Sequence, residues 1–242
     1  MLSACCEKLF VIQEDVTKIS KTTLKKDSNS ILMKKYFNEV MLAQKNIFKK
    51  KIYKVKKENT NIISIQEGEL NKLCLSKIDN FLKSDIYIVY GSSYIKGDLV
   101  VFLIKKKAIN IHLGVSPYYR GTACNFWAVY DNNPQYVGAT IHLLSKGLDS
   151  GAILYHVLSN NRNNVFEYTM STALIAFNSI VEKIKNQSLL KIEAEPQDRS
   201  KEIRYSKNKD FTDEIVMDFY KNKNFLNQFE FKKNEYKDLF LQ

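Results

Sequence analysis

An asparagine and a histidine two positions apart, Asn110 and His112, head the segment Asn-Ile-His-Leu-Gly-Val-Ser-Pro-Tyr-Tyr-Arg-Gly at residues 110–121. On a strand, positions i and i+2 share a face, so an amide donor and an imidazole would meet in one small volume. Asp149 follows in Ser-Lys-Gly-Leu-Asp-Ser-Gly, a loop able to carry a carboxylate to the same place. Amide, imidazole and carboxylate, with no serine or cysteine among them, suit acyl transfer without a covalent enzyme intermediate: an amine on one substrate attacks a carbonyl on another. Asn110 and a charged His112 would stabilise the oxyanion. Asp149 would hold the histidine charged or relay the proton of the attacking amine. Histidine suits the task because small environmental shifts move its pKa across neutrality.

The elements that must position these groups read as alternating strands and helices. Strands are expected at 8–14, 61–65, 85–91 and 108–114, the third a nearly continuous apolar run of the kind found in a central parallel strand. Ile31 to Phe48 has helical spacing through Met33, Phe37, Val40, Met41, Gln44, Ile47 and Phe48, Gln44 being the one polar break. Leu70 to Leu82 reads as an amphipathic helix burying Leu73, Ile78, Phe81 and Leu82, and Leu99–Leu103 as a short helix. Thr17 to Ser30 is polar and reads as a loop. Thr122 is an expected N-cap for a helix over Ala123–Tyr130. Gly-Ala-Thr-Ile-His-Leu-Leu and Ala-Ile-Leu-Tyr-His-Val-Leu flank the Asp149 loop as paired strands. Asn164 and Glu167 form a capping box opening a long helix whose expected buried face carries Phe166, Met170, Leu174, Phe177, Val181 and Ile184. From Gln187 onward the pattern is irregular. Together these give an α/β fold with an open, mostly parallel twisted sheet flanked by helices. Seven of the eight glycines and two of the three prolines fall between Gly91 and Gly151, so unusual backbone geometry is concentrated there. Ligands of open α/β sheets bind beyond the carboxyl ends of the strands, which places the site in that middle third.

The chain has 242 residues and a formal net charge of +11, most of it lysine. The lysine run Lys49, Lys50, Lys51, Lys54, Lys56 and Lys57 reads first as a solvated face and second as a surface for anionic partners. Arginine appears only at 120, 162, 199 and 204, which argues against a nucleic-acid partner. No apolar run is long enough to span a membrane, and the N-terminus does not read as a signal peptide. Cys5, Cys6, Cys74 and Cys124 lack CxxC spacing, and three histidines are too few to complete a zinc site with them. They are read as reduced cytoplasmic thiols, Cys124 as a packing residue.

The ordered motifs Asn110–His112, Pro117–Gly121, Gly138–His142 and Asp149–Gly151 with Ile153 resemble the formyltransferase family that uses 10-formyltetrahydrofolate. The resemblance covers roughly residues 85–155. It implies a Rossmann-like fold and Asn110, His112 and Asp149 as the catalytic set. Tyr-Gly-Ser-Ser-Tyr-Ile (90–95) sits where the family's folate-contacting loop follows a strand, so Ser92, Ser93 and Tyr94 are implied cofactor contacts. Ser145, Lys146, Gly147 and Leu148 are implied on the other side of that pocket. Tyr118, Tyr119 and Arg120 are the candidate acceptor-binding residues, with loop packing and bracing as their competing roles. His142 is read equally as a core histidine and as a group shaping the pocket; His156 is read as structural, and Phe126 and Trp127 as core.

The expected activity is formyl transfer from 10-formyltetrahydrofolate, with no metal, to a primary amine. Leu113-Gly114-Val115-Ser116-Pro117 resembles the sugar N-formyltransferase branch, which implies a nucleotide-linked amino sugar as acceptor. A non-catalytic folate or nucleotide binder and a formyltetrahydrofolate hydrolase are the alternatives. Residues 1–186 are expected to form the catalytic core and 187–242 an irregular, partly helical C-terminal tail; a homo-oligomer is compatible with this reading. The family starts with a strand and helix ahead of the one read at 8–14, so the usual first strand is expected to be missing.

Overall fold

The computed structural model describes residues 1–15, 30–49, 57–160 and 164–222. The polar stretch 17–29, most of the lysine run and Arg162 lie outside the described residues. Strand β1 (Leu9–Asp15) and β2 (Thr60–Gln66) pair in parallel as a two-stranded ladder. A second sheet has the order β3-β4-β6-β7. Here β3 (Ile88–Tyr90) and β4 (Ile109–His112) are parallel, while β6 (Gly138–Leu143) is antiparallel to both β4 and β7 (Ile153–Leu158). A third ladder joins β5 (Tyr119–Gly121) in parallel to β8 (Arg204–Ser206). Parallel pairing thus accounts for three of the five described ladders. The run at 85–91 forms only the three-residue β3, a half-covered edge of its sheet and not a central strand.

Helix α1 (Ile31–Phe48) has the expected bounds, and Ser30 caps it by accepting from the Met33 N–H at 3.0 Å. Its buried stripe is Met33, Tyr36 and Ala43; Met41 and Gln44 face solvent. That change follows from what α1 packs on: Tyr36 enters an aromatic cluster with Phe126, Phe166, Phe211 and Phe219, ring centroids 5.2–6.1 Å away. Residues 70–82 form short 3₁₀ turns burying Leu70 and Ile78, not one amphipathic helix. Helix α2 (Gly97–Lys105) buries Leu99, Val100 and Leu103 in a cluster with Leu70, Ile95 and Ala108.

Helix α3 (Cys124–Tyr130) has Ala123 at its N-cap in the left-handed region, φ 52°. Thr122 does not cap it, because Thr122 is committed to β8: its N–H donates to the Ser206 carbonyl and its carbonyl accepts from the Ser206 hydroxyl. Helix α4 (Val165–Lys185) is capped as expected, Asn164 accepting from the Glu167 N–H. It turns a different face inward, however. Val165, Tyr168, Thr172, Ala176 and Ile180 are buried, and the large residues Phe166, Met170, Leu174, Phe177, Val181 and Ile184 flank that stripe half-exposed. Small residues at the contact let the helix approach the sheet through Ala176 and Ile180, against Ile141, Leu154 and Tyr155.

Past Lys185 the chain returns to the body. Arg204 grips Asp131 with two bonds of 2.6 and 2.7 Å and lies over the Trp127 ring at 4.4 Å. Helix α5 (Asp213–Lys221) buries Val216 and Phe219 in the aromatic cluster, and its Asp213 accepts from the Ser30 hydroxyl at 2.7 Å. No described helix is long and apolar enough to cross a membrane.

Gly121 has φ +90°, and a Cβ there would sit 2.0 Å from the Ser206 carbonyl oxygen. Backbone on one side and a disfavoured φ on the other leave no relaxation path. Gly121→Ala is therefore expected to lower stability by about 2 kcal/mol or more, read as the shift in urea midpoint at constant slope.

Candidate active site

The β4–β6 register puts Asn110 opposite His142 and His112 opposite Thr140. Alternation along β4 sends Asn110 and His112 to one face, and the loop after β6 folds back over it. There Asp149 meets both. Its Oδ1 accepts from Asn110 Nδ2 at 3.2 Å, and its Oδ2 stands 3.3 Å from His112 Nδ1. His142 completes the group, with Nε2 at 3.0 Å from Asn110 Nδ2 and 3.8 Å from Asp149 Oδ1. His142 Nδ1 lies 2.8 Å from the Leu143 carbonyl, so that nitrogen carries the proton and a neutral ring leaves Nε2 as an acceptor for the Asn110 amide. The β4–β6 register, which sets His142 opposite Asn110, makes His142 a member of the set; that pairing joins residues 32 positions apart and leaves no local signal.

The group is nearly closed to solvent: the side chains of His112 and Asp149 are 8% and 13% exposed. Burial pushes the His112 imidazole below its ordinary pKa against the opposing pull of Asp149. Burial works to raise Asp149, but its neighbours His142, His112 and Arg120 outweigh it and hold the carboxyl below its ordinary value. A carboxylate beside a neutral imidazole and an amide donor can take a proton from an ammonium and hydrogen-bond an oxyanion, which is aminolysis chemistry.

The Asp149 loop is shaped from several sides. Asp149 has φ 45°, a conformation aspartate tolerates better than most residues. A Cβ on Gly151 would lie 1.7 Å from the Leu143 carbonyl, so only glycine lets the loop close onto β6. Gln197 Nε2 donates to the carbonyls of Asp149 and Gly151 at 2.9 and 2.7 Å. Arg120 donates to the Leu148 carbonyl at 3.1 Å and to Glu202 at 2.9 Å. Gln197 and Glu202 lie in a segment that sequence reasoning left as irregular; a lone glutamine in a loop carries no periodic signal.

The proposed acceptor contacts need correction. Arg120 is buried and spent on Glu202 and Leu148, so it braces the Asp149 loop. Tyr119 is 0% exposed and accepts from Asn133 through its hydroxyl; Tyr118 is buried and stacks on Tyr136 at 4.4 Å. In the structure these three pack the Pro-Tyr-Tyr-Arg-Gly corner.

The two implied folate segments do come together. The Tyr94 hydroxyl donates to the Lys146 carbonyl at 2.5 Å, joining the loop after β3 to the loop after β6. Ser92, Tyr94, Lys146, Gly147 and Leu148 are exposed around this junction. Ser145 is half-buried and knits its own loop through Gly147 and Ser150. Ser93 is not free: its N–H and hydroxyl donate to Glu14 at 2.6 and 2.7 Å, and the Gly68 N–H donates to the same carboxylate at 3.0 Å. Burial acts to raise Glu14, but these bonds prevail and lower its pKa. Glu14 at the end of β1 thereby fixes the loop after β3, a role that nothing in its sequence surroundings announces. Among the described residues no group of three or more His, Cys, Asp or Glu could hold a metal ion.

A family model described as formyl transferase matches residues 25–164. A methionyl-tRNA formyltransferase from Cyanothece sp. is 26% identical over 121 residues, covering 49% of this chain and 36% of the relative. One from Thermodesulfovibrio yellowstonii is 29% identical over 164 residues, covering 59% and 52%. The chain thus spans about a third to a half of these curated relatives. Among solved structures, PseJ from Anoxybacillus kamchatkensis, a formyltransferase in complex with UDP-4,6-dideoxy-4-formamido-L-AltNAc and tetrahydrofolate, has the same fold: TM-score 0.51 at 20% identity, over 84% of this chain and 87% of that one.

A base whose folded pKa is depressed contributes stability that is full above its unfolded pKa of about 6.5 and is eroded as pH falls from there toward the folded value. Asp149's contribution is lost only lower, below the ordinary carboxylate range. The stability difference between the wild type and His112→Asn should therefore shrink as pH falls from 7 to 5, measured by urea unfolding at each pH.

Proposed function

Because the chain belongs to the formyl transferase family, we propose that it moves a formyl group from 10-formyltetrahydrofolate to a primary amine, at the Asn110–His112–Asp149 cluster. The observation that carries this reading is the convergence of one amide and one imidazole on one carboxylate, at 3.2 and 3.3 Å from its two oxygens. The folate co-substrate is assigned to the junction of the loops after β3 and β6, where Ser92, Tyr94, Lys146, Gly147 and Leu148 are exposed. The Asn110 N–H that faces His142 Nε2 turns to the formyl oxygen as it becomes an oxyanion, while the other keeps its bond to Asp149. Asp149 takes the proton of the attacking amine. His112 holds that carboxylate in place through its Nδ1. As the tetrahedral intermediate collapses, the proton held by Asp149 passes to the departing folate nitrogen, tetrahydrofolate leaves, and no covalent enzyme intermediate is required.

The acceptor is assigned to the nucleotide-linked amino sugars, a reading supported by the nucleotide-linked formamido sugar in the PseJ complex. A lysine-rich chain with net charge +11 suits a pyrophosphate-bearing substrate. The methionyl-tRNA relatives make an aminoacyl-tRNA amine the competing acceptor. The assigned location is the cytoplasm.

The test is incubation with 10-formyltetrahydrofolate and a panel of amines, following tetrahydrofolate release and a product heavier by one CO. Release only in the presence of a nucleotide-linked amino sugar supports the proposal. Release in water alone indicates a hydrolase, and folate binding without release a non-catalytic binder. Asn110→Ala, which removes the oxyanion donor, is expected to lower kcat by about 10²- to 10³-fold. Asp149→Asn should fall at least as far, with folate affinity retained in both. A wild-type rate in either variant would refute the assignment.

A further inference from the structure

The imidazole of His112 is engaged at both ends. Nδ1 faces Asp149, and Nε2 lies 3.5 Å from the Cys124 thiol on the first turn of α3. That thiol is 1% exposed, and its single S–H faces two acceptors at 3.5 Å, His112 Nε2 and the Gly121 carbonyl. The surrounding space is filled. A Cβ on Gly114 would stand 2.6 Å from His112 Nε2 and 2.5 Å from Cys124 Cβ, so glycine at 114 is what lets the ring and the cysteine meet.

We propose that Cys124 is a positioning residue for His112, its S–H donating to Nε2 and so fixing the neutral ring as the tautomer whose Nδ1–H points at Asp149. The chemistry follows from the donor inventory. Asp149 is an acceptor while ionised, so the adjacent nitrogen must carry the proton. The far nitrogen then presents a lone pair in a buried place, where an unmatched acceptor is costly. A thiol is a weak donor that satisfies this lone pair without competing with the carboxylate. Alanine would leave the pair unmet, and serine would meet it more strongly. The thiol is not a nucleophile here: burial raises its pKa well above the ordinary thiol value, and it has no access to solvent.

The other groups facing the ring are Asp149 from the loop after β6, His142 from β6, Arg120 and the Tyr119 backbone from β5. None changes with residue 124, so the effect of a substitution at that position can be read directly. The inference rests on the proposed function only in taking His112 as a member of the reacting set, and its test needs neither folate nor amine.

The chain has three histidines, so ring-labelled histidine NMR resolves each, with His112 assigned by its loss in His112→Asn. The His112 titration midpoint should be ordered by donor strength at position 124. Cys124→Ala is expected above the wild type and Cys124→Ser below it, each by about half a pH unit, the size of one weak hydrogen bond made to one protonation state. Thermal melts establish that each variant is folded. Should the alanine variant not fold, the serine variant alone decides. A midpoint that does not move, or moves in the opposite direction, in either folded variant overturns the proposal. A protein with the predicted midpoints but no formyl transfer would separate this inference from the reading of the reaction.

Discussion

The carboxylate of Asp149 is the constraint to which the site answers. It is a buried anion, and a buried anion must be paired and hydrogen-bonded or it will not stay charged. Two side chains of β4 and one of β6 supply that environment. Because the carboxylate sits on a loop, the loop must be held as firmly as the strands. That requirement explains Arg120 on Leu148, Gln197 on Asp149 and Gly151, and the glycine that lets the loop close on Leu143. The strands determine where the ligands of the carboxylate point; the braces determine that the carboxylate is there to be bound.

The same economy runs through the rest of the cluster. Thr140, facing His112 across the ladder, accepts from the Ser116 N–H at 2.8 Å and donates to the Gly114 carbonyl at 2.6 Å. His156 reaches the Ser116 carbonyl at 2.7 Å. The turn that follows β4 is thus fixed by side chains from the two strands beside it, and it delivers Tyr118, Tyr119 and Arg120 to the interior. Residues that look like ligand contacts because they are aromatic or cationic are used up in holding the corner shut.

What could be read in the sequence was whatever depends on local pattern. The bounds of α1, the Asn164 cap, the β6–β7 hairpin and the shared face of Asn110 and His112 follow from spacing and cap chemistry within a few residues. The misreadings share a different cause. On α4 the large apolar residues mark a flank, from which Phe166, Phe177 and Ile184 still pack against the core, whereas the sheet requires close approach and takes Ala176. Thr122 was read as a cap because nothing nearby shows that Ser206 would claim it. Glu14, Gln197 and the partnership of Cys124 with His112 are single polar residues whose meaning lies in a contact with a distant segment. Such contacts leave no period in the chain.

The bracing of Asp149 from Gln197 and Glu202, and of β5 from β8, has a consequence for how the protein is made. During synthesis a chain emerges from its amino end, and early segments can fold before later ones exist. Here the sheet that carries Asn110 and His112 is complete once β7 has emerged, yet the loop bearing Asp149 has one anchor, Gln197, 48 residues further on, and Arg120, its other brace, is itself held by Glu202. A nascent chain can therefore possess its scaffold well before the carboxylate that faces it is fixed in place.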